Sequence, residues 1–238
     1  MLAVEAIKTR IFKTGEPILV FLFDELKKYP LRENDVVCVT SKIVSLSENR
    51  IVKNQNIEKT VLVRREADHY LADGPFGVSL TIKHGLMIPS AGIDESNADG
   101  KYFILYPLDP FQSARAIWAG VKNYFHLQNV GIILTDSHTQ PLRRGVTGIA
   151  LSYWGFRGVN NCVGKDDLFG RKLKYTTVHA ADALATAAVF EMGESNESQP
   201  LAVISGANVH FQNEIDPAEG SIAPQDDLYF SLYQSKIE

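Results

Sequence analysis

The sequence predicts an α+β protein, with mixed sheets and packed helices in one domain over residues 1–238, either a single compact body or two interlocked subdomains. Three observations carry this. Short apolar strand-like runs recur along the chain, well-punctuated helical stretches fall between some of them, and strict βαβ alternation is absent.

In chain order, residues 4–7 read as a short strand and 17–29 as a helix, with Pro17 in its first turn and Leu19, Phe23 and Leu26 on one face. The apolar run 36–40 reads as a buried strand. A weaker helical pattern covers 57–71 and stops at Gly74-Pro75. Residues 78–82 and 86–88 flank Lys83-His84-Gly85 as a hairpin. Residues 102–106 form a further strand, and Asp109 then Pro110 cap a helix reaching Tyr124. The clearest buried strand is 130–134. An Ala-rich helix over 180–192 is stopped by Gly193, and 201–204 is another strand. The polar stretch 213–225 is a loop leading to a docked aromatic segment at 228–233.

Composition narrows the function. Hydrophobic residues make up 45% and charged residues 22%, which is globular usage and not that of a disordered chain. A formal charge of -4 and scattered Lys and Arg leave no footprint for nucleic acid. Glu5 interrupts the N-terminal apolar stretch, and the run 18–23 is too short to span a bilayer, so no membrane partner and a cytoplasmic location are expected. Cys38, inside an apolar run, reads as a small buried hydrophobe, and with Cys162 implies reduced thiols.

Five stretches could carry chemistry. Pro89-Ser90-Ala91-Gly92-Ile93-Asp94-Glu95-Ser96-Asn97 offers oxygen donors suited to Mg²⁺ or Mn²⁺, or merely an Asx turn. Thr135-Asp136-Ser137-His138 follows the buried strand, placing a carboxylate and a hydroxyl at a strand's carboxyl end, where ligands gather or where a turn is capped. Arg143 and Arg144, before Gly145, form either a bidentate anion clamp or a surface ion-pair cluster. Glu194, just past the Gly193 helix stop, is a third candidate carboxylate or a solvated helix end. The loop from Gly164 to Arg171 is a substrate loop or a polar connection. P-loop, dinucleotide and zinc-helix motifs are missing, so phosphate binding would have to use metal, Arg and loop amides.

Together these segments resemble the coenzyme F420-0:L-glutamate ligase family over nearly the whole chain to about Gly206. The resemblance is carried by Thr40-Ser41-Lys42-Ile43-Val44-Ser45 with Glu48 and Arg50, by Ala91 to Asn97, and by Thr135-Asp136-Ser137 followed by Arg143-Arg144-Gly145. It continues through Asp167-Leu168-Phe169-Gly170-Arg171, Ala181-Asp182-Ala183-Leu184-Ala185 and Met192-Gly193-Glu194. It implies a GTP- or ATP-dependent γ-glutamyl ligase that joins L-glutamate to a cofactor-type carboxylate through an acyl phosphate, as an intertwined homodimer of α+β subunits. Metal positions then fall on Asp94, Asp136, Ser137 and Glu194. Nucleotide positions fall on Thr9, Arg10, Ile11, Phe12, Ser41, Lys42, Asn97, Met192, Gly193 and Gln199. Arg143, Arg144 and Arg171 would stabilise transferred phosphate or hold glutamate.

Two departures from the resemblance bear on the acceptor. Leu46 stands where enzymes of the deazaflavin cofactor usually carry a Lys, and Ser137-His138-Thr139-Gln140-Pro141-Leu142 replaces their usual loop with a version similar to a folate-glutamylating branch. Coenzyme F420-0 and a folate are therefore both candidate acceptors. Leu46 also favours a second reading, a metal- and nucleotide-binding member of the family without turnover.

Overall fold

A computed structural model describes residues 1–95 and 101–237. The chain runs β1 (Ala3–Ile7), α1 (Ile18–Leu26), β2 (Asp35–Thr40), α2 (Ser41–Ser47), β3 (Ile51–Lys53), α3 (Lys59–Glu66), β4 (His69–Asp73), β5 (Ser79–Lys83), β6 (Leu86–Pro89) and β7 (Tyr102–Ile104). It continues through α4 (Pro110–Tyr124), β8 (Val130–Thr139), β9 (Val146–Trp154), β10 (Val159–Asn161), β11 (Thr177–His179), α5 (Ala180–Met192), β12 (Leu201–Ser205) and α6 (Phe230–Tyr233). The α+β class is as the sequence predicts.

The main sheet has the order β1-β12-β2-β8-β9, and within it β2 and β8 are parallel while the other neighbours are antiparallel. Strand periodicity explains why this sheet is covered on both faces. In β2, Val37 and Val39 join a core with α1 and α4 that includes Phe21, Leu22 and Ile117. The alternate residues Val36 and Cys38 join a second core, with Ala181, Leu184, Ala185 and Ala188 of α5. Alanines suit that face because they let the helix lie close to the sheet. Burial pushes the Cys38 thiol well up, so it stays a protonated core group.

Smaller units surround this sheet. β4, β5 and β6 form an antiparallel meander, and β3 pairs with β7 under α3. Asp109 accepts the Gln112 amide at 2.9 Å as the N-cap of α4, and Gly193 ends α5 at φ +81. The tail is tied to the body where the Trp154 indole donates to the Asn213 carbonyl at 3.0 Å, and Tyr233 is buried. Among the described residues no helix is long and apolar enough to cross a membrane.

Two expected boundaries shift most, and one strand is added. The helix expected over 57–71 ends at Glu66, because Ala67 turns extended and His69–Asp73 pairs with β5 as β4. The strand expected to end at Leu134 runs on to Thr139, so Asp136 and Ser137 sit within β8. The Gly-containing stretch 145–148 opens into β9, a strand with no sequence-based expectation.

Candidate active site

The parallel pairing of β2 with β8 ends at Thr40 opposite Thr135. From that edge one strand passes directly into α2, while the other continues as a two-stranded ribbon with β9. A register shift between Leu134 and Thr135 adds twist just before Asp136. The chains diverge, and a cleft of about 980 Å³ opens between them. Its walls come from residues 9–12 after β1, from α2, from the segment after β6, from β8, and from residues 192–200 after α5. The last wall is pinned to the first by the Thr9 amide, which donates to the Ser198 carbonyl at 2.9 Å.

Asp94 is fixed through its backbone, which exchanges two hydrogen bonds with Ile104 at 3.0 and 2.9 Å, and its carboxylate pairs with the Lys42 ammonium. Asp136 accepts a hydrogen bond from the Tyr106 hydroxyl. Burial, reinforced by the charge of Asp94, pushes the Asp136 carboxyl up to about 6, although the Tyr106 hydroxyl, the Ser137 amide and Lys42 favour its charged form. Asp136 still keeps part of its surface on the cleft, and water there moderates its isolation. Glu194 is likewise raised, by burial and then by the charges of Asp94 and Glu197, against a hydrogen bond from Ser137. Tyr106 is held well above the usual phenol value by burial and the Asp136 charge.

These shifts share one leading cause, burial in the cleft wall, and the charge of Asp94 adds to each of them. The carboxyl end of α5 adds negative partial charge next to Glu194. The donors are two aspartates, a glutamate and a serine hydroxyl, all hard oxygens, and at Asp94 a Lys ammonium stands where cationic charge is demanded. That set fits Mg²⁺ or Mn²⁺. Among the described residues no three His, Cys, Asp or Glu side chains converge on one point, so water and phosphate oxygens would complete any coordination shell.

Residues 6–206 match the F420-0:Gamma-glutamyl ligase family. The chain belongs to that family. The coenzyme F420:L-glutamate ligase of Methanococcus maripaludis is 33% identical over 209 residues, covering 81% of this chain and 84% of the relative. Its counterpart in Methanocaldococcus jannaschii is 33% identical over 220 residues, covering 85% and 87%. That of Methanopyrus kandleri is 33% identical over 193 residues, covering 74% and 76%.

In this γ-glutamyl ligase family member, Thr9, Arg10, Ile11, Phe12, Lys42, Asp94, Asp136, Ser137, Met192, Gly193, Glu194 and Gln199 all line the one cleft, though they come from five distant segments. Ser41 lies buried beneath it. Asn97 falls outside the described residues. Arg143 and Arg144 are exposed in the turn between β8 and β9 and do not line the cleft in this chain. Arg171 is also away from it, donating to Asp167 at 3.0 Å within their own loop.

Other residues of the shared motifs turn out to be scaffold. Arg50 donates to the Tyr106 carbonyl at 3.0 Å and to Glu66 at 2.8 Å, and Glu48 accepts from Ser113 at 2.5 Å. Asp182 accepts the Ala150 amide at 3.0 Å, joining α5 to β9. Sequence reasoning missed Tyr106 by counting it as a strand aromatic. The available signal was that a buried Tyr needs a partner for its hydroxyl. His138 also lines the cleft, with burial lowering its tendency to protonate.

Proposed function

We propose that this protein is a ligase that joins L-glutamate, through an amide bond, to the carboxylate of coenzyme F420-0 or a folate, using GTP or ATP with Mg²⁺ or Mn²⁺. The observation that carries the reading is the gathering of Asp94, Asp136, Ser137 and Glu194 with Lys42 and residues 9–12 in one cleft. Amide formation from a free carboxylate needs activation. An acceptor oxygen attacks the γ-phosphorus and nucleoside diphosphate leaves; the deprotonated glutamate amine then attacks the acyl carbon and phosphate leaves. Bound divalent cations would neutralise phosphate charge. The chain itself contributes Lys42 as a phosphate partner, the carboxylates that hold the cations, and apolar walls at Ile43, Leu46 and Met192 that keep water from the acyl phosphate.

Leu46 lines this cleft, where deazaflavin-type sequences usually place a Lys, and that specific contact supports a folate as an acceptor at least as good as coenzyme F420-0. The test is to supply each acceptor separately with glutamate, GTP or ATP, and Mg²⁺ or Mn²⁺, then weigh the products by mass spectrometry. A glutamyl addition that depends on acceptor, nucleotide and metal is expected. Addition to the deazaflavin precursor alone would reject the folate reading. Tight nucleotide binding without any product would leave a binding protein and reject the ligase.

The ribbon that carries Ser137 into the cleft wall carries Arg143 and Arg144 at its tip. We place them as an anion clamp for incoming glutamate or nucleotide. Arg143→Ala is then expected to raise the KM for one of these at least about 10-fold, because water does not replace a bidentate guanidinium. Steady-state kinetics varying each substrate in turn will show it, and unchanged constants would return Arg143 to the exposed surface. The same reading includes a homodimer, for which exposed Leu142, Leu168 and Phe169 provide apolar surface. Sedimentation should then give twice the chain mass of 26.4 kDa.

A further inference from the structure

Tyr106 belongs to none of the motifs that connect this chain to its family, yet its surroundings restrain it on several sides. Its residue is 4% exposed, and it packs with Ile88 and Leu151. Gly92 lies against the ring at φ +70; a Cβ there would sit 2.2 Å from a ring carbon, so this glycine is what admits the tyrosine. The Arg50 guanidinium holds the Tyr106 carbonyl at 3.0 Å, and the His84 ring stacks with its centroid 6.3 Å away. The one polar atom of the side chain donates to Oδ2 of Asp136.

We infer that Tyr106 is a positioning residue of the cation site: by donating to Oδ2 it sets the rotation of the Asp136 carboxylate and leaves the remaining lone pairs to face the cleft. The inference rests on the metal reading of Asp136 given above. The final torsion of an Asp side chain is broad and weakly restrained on its own. A donor from a rigid ring removes that freedom before a cation arrives, so the ordering cost is not charged to binding. Outer hydrogen-bond partners of this kind change metal affinity by about 10–100-fold. A merely structural Tyr106 would behave differently: losing its hydroxyl would alter stability and leave affinity alone.

The test uses the full chain and Mn²⁺ alone, with free ion counted by electron paramagnetic resonance. Tyr106→Phe keeps the ring and deletes the donor. Leu151→Val loosens the same packing without touching the hydroxyl. We expect Tyr106→Phe to raise the Mn²⁺ Kd about 10–100-fold, and to raise the metal requirement of turnover more than the acceptor KM, with Leu151→Val close to the parent in both. Parent protein that binds no Mn²⁺ would overturn the metal reading itself. Parent that binds Mn²⁺ while Tyr106→Phe binds equally well would overturn the positioning role alone. Equal weakening in Leu151→Val would assign the effect to packing and overturn it too.

Discussion

Replacing Asp136 by Asn is expected to lower metal-dependent turnover at least about 100-fold while making the metal-free protein more stable above pH 6. The two effects have one origin. The folded protein raises the Asp136 carboxyl from an ordinary value of 3.8 to about 6, chiefly by burial. A carboxyl raised on folding keeps its proton in the native state where the unfolded chain has already lost it, so stability falls as pH rises from about 4 to 6 and stays lower above that. Two units correspond to about 3 kcal/mol at most, and the part of Asp136 that faces cleft water reduces this to about 1–2 kcal/mol. Asn is neutral at every pH and can still accept from the Tyr106 hydroxyl, so it escapes the cost. Thermal unfolding near pH 8 should show the variant melting about 2–8 °C higher than the parent, and the difference should vanish near pH 4. Added Mn²⁺ should stabilise the parent and not the variant, since binding to the native state is what raises its stability. Parent-level activity would remove Asp136 from the site, and a variant no more stable at pH 8 would show that its carboxyl is not raised on folding.

Much of the fold was legible because local chemistry and tertiary structure agree. Asp109 and Pro110 announce α4, Gly193 announces the end of α5, and the unbroken apolar run of β2 announces a strand buried on both faces. Where pattern failed, tertiary packing had the last word. Residues 67–71 carry a weak helical pattern, but β5 offers a strand edge and the chain takes it. The site was legible only piecewise. Asp94, Asp136 and Glu194 each have a plain local alternative, and only the parallel pairing of β2 with β8, together with the return of the chain after α5, brings them to one cleft. The resemblance to a family supplied that grouping in advance, whereas no spacing rule links residues 94 and 194. It did not distinguish motif residues that touch the cleft from those that hold it: Arg50, Glu48 and Asp182 are bonded into the scaffold.

Gly148 shows how closely scaffold and site are joined, and Gly148→Ala should be among the most damaging single-methyl changes in the chain. Gly148 lies in β9 directly opposite Ser137 of β8, under α5. A Cβ there would fall 2.5 Å from the Ala185 carbonyl oxygen and 2.8 Å from both the Thr186 Cα and the Val189 Cβ. Two of those atoms are backbone, so no side-chain rotation relieves the clash, and either the helix lifts or the strand sinks. Lifting α5 also strains the Thr186 hydroxyl, which donates to the Gly148 carbonyl at 2.7 Å, and opens the Ala-lined core. Overpacking of this kind costs about 1–3 kcal/mol, and the lost hydrogen bond adds about 1 kcal/mol. Together these correspond to a fall of about 4–16 °C in Tm for a chain of this size. The displaced helix carries Met192, Gly193 and Glu194 at its end, while Ser137 faces the substituted residue across the ribbon, so both sides of the cleft shift. Nucleotide and Mn²⁺ affinity should therefore fall along with stability. Gly145→Ala, three residues earlier and with no atom within 4 Å of its would-be Cβ, provides a comparison in which only the strain of φ +95 acts. A Gly148→Ala protein with parent Tm and parent Mn²⁺ affinity would show that the contact of α5 with β9 does not set the cleft wall.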